Sequence, residues 1–230
     1  MATHFSDEAI KFLRGLKRNN DRVWFDERKA IYERELKAPM LALIGEINDA
    51  MLDFAPMHMR PPQKIMMRIY RDIRFSKNKQ PYKTHVSAWW VREGLEKTSG
   101  AGFYFQVSPE EVLIAAGVYM PEREQLLAIR RHLAEHHQEF RRLMKAKKLR
   151  SLMTENDGTP LTRSPKGFPE DHPAIDLLKN RQWGVSARLP GEIATKASLV
   201  KEAVVRFRAA APMIAMLNEP LIGKPKRPLF

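Results

Sequence analysis

Cysteine is absent from the 230 residues, which excludes a disulfide framework, thiolate metal sites, iron–sulfur ligation through cysteine and any cysteine nucleophile. Long apolar runs are missing too. The longest, Ala209 to Leu217, is about nine residues with Pro212 inside it, against the roughly 20 that span a bilayer. Met1 to Lys11 carries His4, Asp7 and Glu8 and has no basic head before an apolar run, so it does not read as a secretory signal. A soluble cytoplasmic protein with no membrane partner is the expectation. No G-x-x-x-x-G-K-[ST], no G-x-G-x-x-G after a strand pattern and no G-x-S-x-G elbow occurs, which removes the common phosphate-loop, dinucleotide and serine-hydrolase signatures.

Apolar residues make up 43% and aromatic residues 9% of the chain, enough to bury a real core and to stand outside the disordered class. The 40 Lys plus Arg outnumber the 27 Asp plus Glu, for a net charge of +13. That excess is uneven. Arg68 to Lys83 holds six cations and one acid, Arg130 to Arg150 holds eight and two, and Lys224, Lys226 and Arg227 follow in the tail. Basic surfaces of this kind attract phosphates, nucleic acid or acidic metabolites, or simply keep a protein soluble.

Ser6 is a good N-cap before Asp7 and Glu8, with Phe5 and Ile10 placed as a hydrophobic staple, so a first helix starts there. Asp21 can cap a second, and Leu36, Met40, Leu43, Ile44, Ile47, Met51 and Phe54 recur at helical spacing as core; Pro39 interrupts the pattern, which predicts a kink or two helices meeting near Ala38. Past Pro61-Pro62 the apolar period changes to two, over Ile65, Met67, Ile69, Ile73 and Phe75, which reads as a half-buried strand. Val86 to Arg92, Ala101 to Val107 and Val112 to Tyr119 read as further strands, the last two joined by a tight turn at 108–111 and therefore antiparallel. A helix follows from Pro121 to Lys148, broken near Glu139, then a long loop over 156–173 and a last helix from Pro190 to Ala209. Helices, then strands, then helices, without βαβ alternation, predict an α+β fold: an antiparallel sheet of about four strands covered by N-terminal and C-terminal helices, as one domain over 1–230.

The segment from Arg68 to Lys83 mixes strand periodicity with dense cations. In an extended chain Arg68, Tyr70, Asp72 and Arg74 share one face, while Arg71 points into the apolar face. Guanidinium groups recognise carboxylate or phosphate with two prongs. Arg68, Arg71, Arg74, Lys79, Tyr82 and Lys83 are therefore candidate ligands for an anion, with Asp72 orienting them. A purely internal Arg–Asp network is the competing reading.

At these residues a resemblance is plain. R-x-x-R-D-x-R-F, followed by Asn78, Lys79 and Tyr82, is similar to the signature of a widespread bacterial family of conserved hypothetical proteins, domain of unknown function 2461. Asn19-Asn20 before Trp24-Phe25, Pro81-Tyr82-Lys83 with His85, Gly117 before Tyr119 and Pro121, and Pro165-Lys166-Gly167-Phe168 before Asp171-His172-Pro173 extend the match over nearly the whole chain. The resemblance implies a single domain without an assigned activity.

Arg163 to Pro173 is a second place to look: Lys166-Gly167 sets a cation beside flexible backbone, and Asp171-His172 sets an acid beside an imidazole. His172, His85 and Asp72 are the candidate proton-moving groups, although a histidine in a turn before proline is commonly an anchor. His132-Leu-Ala-Glu135-His136 matches an inverted zinc-peptidase pattern, but its basic surroundings repel a cation, and no metal site is assigned. Trp89-Trp90 and the methionines from Met51 to Met67 read as core packing. Two functional readings remain, with cofactor and reaction open: a small anionic ligand in an Arg/Lys/Tyr-lined pocket, or nucleic acid tracked by the basic helix over 130–150 with Tyr70, Phe75 or Tyr82 stacking on bases. A structural or partner-binding role is the third.

Overall fold

Short-range chemistry sets the first helices. In the computed structural model, which describes residues 4–95, 100–156 and 160–222, the Ser6 hydroxyl accepts from Ala9 N at 3.2 Å and starts α1 (Asp7–Arg18). Phe5 and Ile10 are both buried, as a hydrophobic staple requires. Asp21 caps α2 (Arg22–Glu27) by accepting from Trp24 N at 3.0 Å. α3 (Lys29–Tyr32) runs through a π-helical turn, Glu33–Lys37, into α4 (Ala38–Met51). Pro39 lacks the N–H of a regular ladder, and the wider turn falls just before it, where a kink was expected.

The expected strand over 65–75 is not formed. α5 (Pro62–Ile65) is followed by extended chain with isolated bridges at Met66 to Ala88 and Tyr70 to Tyr82. Ile65 and Ile69 are buried, but Phe75 is 95% exposed, so the apolar period ends after Ile69. The cause is Asp72. Its carboxylate accepts from the Arg74 backbone N–H at 3.2 Å, a local turn that competes with any sheet ladder.

Four full strands make the sheet: β1 (Val86–Val91), β2 (Gly102–Val107), β3 (Glu111–Val118) and, beyond a two-residue β4 (Glu155–Asn156), β5 (Trp183–Pro190). Their order is β1-β2-β3-β5-β4 and every pairing is antiparallel. Ser108 builds the tight turn between β2 and β3, its hydroxyl accepting from Glu110 N and Glu111 N. α6 (Arg123–Met144) kinks at His136 rather than Glu139, and α7 (Lys147–Leu152) follows it, before a short α8 (Ile175–Leu178). The last helix, α9, is Leu199–Asn218. It lies later than expected because 183–190, with Trp183, Val185, Ala187 and Leu189 alternating against Gly184, Ser186 and Arg188, is a strand that ends at Pro190 rather than a helix beginning there. The basic tail at Lys224, Lys226 and Arg227 lies outside the described residues.

The fold is thus α+β. Helices α9 and α4 cover one sheet face, where Phe207 meets Trp90 and Phe103 with ring centroids 5.4 and 5.0 Å apart. Among the described residues no helix is long and apolar enough to cross a membrane. The opposite sheet face holds a hollow of about 650 Å³.

Candidate functional site

Strand alternation puts Trp89, Tyr104, Ala115 and Ser186 in one row across the second face of the sheet. The next row reads Ser87, Gln106, Leu113 and Arg188. On the other side of the Trp89 row, Gly102, Gly117 and Gly184 stand opposite one another on β2, β3 and β5. Side chains do not fit there. A Cβ on Gly102 would come within 2.2 Å of Trp90 O, and one on Gly117 within 2.3 Å of Trp183 O. Glycine in a strand often marks such close approach or a ligand's path, and here Gly117 and Gly184 add no side chain to the surface they line.

Over Gly117 and Gly184 lies a cavity of about 650 Å³, within the size range of small-molecule sites. Met67, Lys83 and His85 reach it from the chain leading into β1; Tyr119, Met120, Gln182 and Trp183 enclose the other end. Met120 holds a left-handed backbone with φ of 63°, a costly conformation for a bulky residue that tends to accompany functional sites. The aromatic walls are flat and apolar, and the cations Lys83 and Arg188 stand among the lining residues. Arg188 donates to both oxygens of Glu111, at 2.6 and 2.9 Å.

Burial shapes the titratable groups. It drives the His85 imidazole down from 6.5 to about 4, with Lys83 adding repulsion, so His85 is neutral near pH 7. Burial raises Tyr104, against a pull downward from the Ser87 hydroxyl, and the Tyr104 hydroxyl donates to Gln106 Oε1 at 2.8 Å. Trp89 contributes a buried indole N–H that has no hydrogen-bond partner among the described residues.

His58, beneath the sheet, is also held near 4 by burial. For both histidines the folded chain resists a proton that the unfolded chain accepts. Their contribution is complete above about pH 6.5 and is lost as pH falls towards 4; for His58 alone it is roughly 3 kcal/mol. The urea midpoint should therefore fall between about pH 7 and 4.5, and a double replacement of His58 and His85 by glutamine should flatten that slope. An unchanged slope in the double variant would refute neutral burial.

The residues expected at the site are dispersed. Lys83 and His85 reach the sheet cavity. Arg68 lines a second hollow of about 300 Å³, with Lys29, Tyr32, Lys37 and Tyr70. Tyr82 is buried and stacks on Phe25 at 4.2 Å. Arg71, Asp72, Arg74 and Lys79 lie on a projecting hairpin. There Arg74 grips Asp72 with two hydrogen bonds of 3.0 and 2.7 Å, which holds the Asp72 carboxyl down at about 2. Arg71 is not buried in the apolar face; it donates to Gln80 O at 3.1 Å. Lys79 donates to Ile73 O at 3.1 Å.

Lys166 is exposed beside Gly167, whose φ is 90°. The His172 Nδ1 accepts from Ala174 N at 3.1 Å, which makes it an anchor of the turn. On α6, Arg130 donates to Asn180 O and Arg141 is held by Asp176; Arg131, Lys145, Lys147, Lys148 and Arg150 are exposed. His132 and His136 bring their rings within 4.6 Å, while among the described residues no group of three His, Asp or Glu is arranged to hold a metal.

Reading along the chain missed Tyr104, Gln106, Tyr119, Met120, Gln182 and Arg188, and it assigned both tryptophans to the core. Trp90 is core, and Trp89 faces the cavity. The glycines are the available signal, since Gly102, Gly117 and Gly184 stand at or next to the ends of their strands. The family model described as conserved hypothetical protein (DUF2461) matches residues 8–216. No curated protein and no solved structure matches the chain.

Proposed function

The chain belongs to that conserved hypothetical protein family, and on this premise we propose that it binds a small molecule carrying an anionic group on a flat apolar body, in the cavity of the sheet. One observation carries the reading: a cavity of about 650 Å³ brings the rings of Trp89, Tyr119 and Trp183 into one lining with the cations Lys83 and Arg188. Trp89, Tyr119 and Trp183 supply apolar surface for a planar body, Lys83 and Arg188 supply positive charge for its acid, and Tyr104, Gln106 and Gln182 supply polar groups that orient it. An anion arriving beside His85 would oppose the repulsion from Lys83 and favour proton uptake by the imidazole.

The test is a thermal-shift screen of aromatic carboxylates and aryl phosphates, with inorganic phosphate as the control without a ring. At a concentration near 100 Kd, binding stabilises by about 2.7 kcal/mol, or roughly 5–10 °C for a chain of this size. Ala115→Trp, which fills the middle of the cavity, should abolish the shift, and Lys83→Met should weaken it. If every aromatic anion is silent, or if Ala115→Trp leaves the shift intact, the cavity is not the binding site.

A further inference from the structure

The hairpin over 69–83 is braced at its root and bare at its tip. Lys83 N donates to Ile69 O and Arg71 N to Pro81 O, both at 2.8 Å. Asn20 brackets Tyr82 from both sides, donating to its carbonyl and accepting from its N–H, each at 3.0 Å. Towards the tip, Arg74 grips Asp72, Gln80 N donates to Asn78 Oδ1 at 2.9 Å and Ser76 N donates to Ile73 O at 3.3 Å. The turn is therefore held in shape by its own polar groups.

Phe75 is 95% exposed and serves no packing purpose, and Tyr70, at the root with ring centroids 6.2 Å from Phe25 and 5.2 Å from Tyr82, still leaves 48% of its surface exposed. The Arg74 guanidinium lies 5.8 Å from the Phe75 ring centroid. Arg68, Arg71, Lys77 and Lys79 belong to the same stretch of chain, with Arg68, Lys77 and Lys79 exposed, and its one acid, Asp72, is already paired with Arg74. Lys79 uses one of its three donors on Ile73 O, and the others remain available.

We infer that this arm is a docking element for single-stranded nucleic acid, with Phe75 and Tyr70 as stacking surfaces for bases and the surrounding cations as contacts for the phosphates. Exposed rings interleaved with cations on a prearranged element are the recurring way proteins hold single strands. The charge complements a polyanion, and the two rings offer what a phosphate chain alone would not use. A lipid surface fits less well. Inserting Phe75 into a bilayer would draw Asp72, Asn78 and Gln80 out of water with it, at a desolvation cost that a single ring does not offset. The arm acts independently of the sheet cavity, which takes no part in this contact.

The test is fluorescence anisotropy of labelled oligouridylate and oligothymidylate with the full chain, run over a salt series. With four cations contacting phosphate, the logarithm of affinity should fall with the logarithm of salt at a slope of about −3. Phe75→Ala should bind roughly 5- to 150-fold more weakly with the slope unchanged. The double variant Lys77→Glu with Lys79→Glu should reduce the slope by about 1.4. Phe75 packs against so little that melting of Phe75→Ala should match the parent, which separates lost binding from lost folding; Ala115→Trp should bind oligonucleotide normally. Lack of oligonucleotide binding at low salt, binding indifferent to Phe75→Ala, or association with phosphatidylserine vesicles in place of oligonucleotides would each overturn the inference.

Discussion

Trp90→Ala is expected to lower the unfolding free energy by about 5 kcal/mol, measured as a fall in the urea midpoint at constant slope. The ring is fully buried between the sheet and α9, in edge contact with Phe207. Removing so large an aromatic side chain from a core costs roughly 3–5 kcal/mol. A second loss adds to it. The Trp90 indole donates to Asn48 Oδ1 at 2.9 Å, and Asn48 in turn donates to Arg60 O at 2.9 Å. Truncation leaves a buried amide oxygen without its donor, for about 1–3 kcal/mol more, part of which relaxation recovers. Trp90→Phe keeps most of the volume and isolates the polar part, so it should cost about 1–2 kcal/mol. A cost below about 1 kcal/mol for the alanine variant would mean that the core does not depend on this contact.

The second large effect comes from a residue with no apolar surface to bury. Asn218, at the end of α9, is 0% exposed. Its Oδ1 accepts from Ala101 N at 2.8 Å and its Nδ2 donates to Ala101 O at 2.9 Å. One amide thus satisfies both backbone groups of the residue that enters β2. Asn218→Ala strips both, and among the described residues the His58 ring, 3.4 Å away, still faces the carbonyl. The expected loss is about 3 kcal/mol, or roughly 6–12 °C in melting temperature. Asn218→Asp should rescue little near neutral pH, because its carboxylate would face the Ala101 carbonyl in a buried place. Equal stability of Asn218→Asp and the parent would show that the clamp needs only the acceptor.

Some of this architecture was legible in the residues and some was not, for reasons that can be named. The cap at Ser6, the staple of Phe5 with Ile10 and the turn at Ser108 are local, and local chemistry decides them. Apolar alternation over 65–75 predicts a strand, but the side chain of Asp72 bonds to its own backbone neighbourhood and turns the chain away from the sheet. β5 was missed because Pro190 looks like the start of a helix and is equally at home at the end of a strand. The sheet cavity is harder still. Its walls come from Met67, Lys83, Trp89, Tyr104, Met120 and Arg188, which share no motif and meet only through the register of the strands. The dense cations of the arm drew attention to a place where they do not converge, and away from Lys83 and His85 a few residues later, which do enter a cavity.

Met67 alone among the described residues lines both the sheet cavity and the smaller hollow beside Tyr32. The two compartments thus have one wall residue in common, and it carries an unbranched thioether, among the most pliable side chains a wall can have. A substitution at Met67 is therefore a change to both hollows at once rather than to either alone.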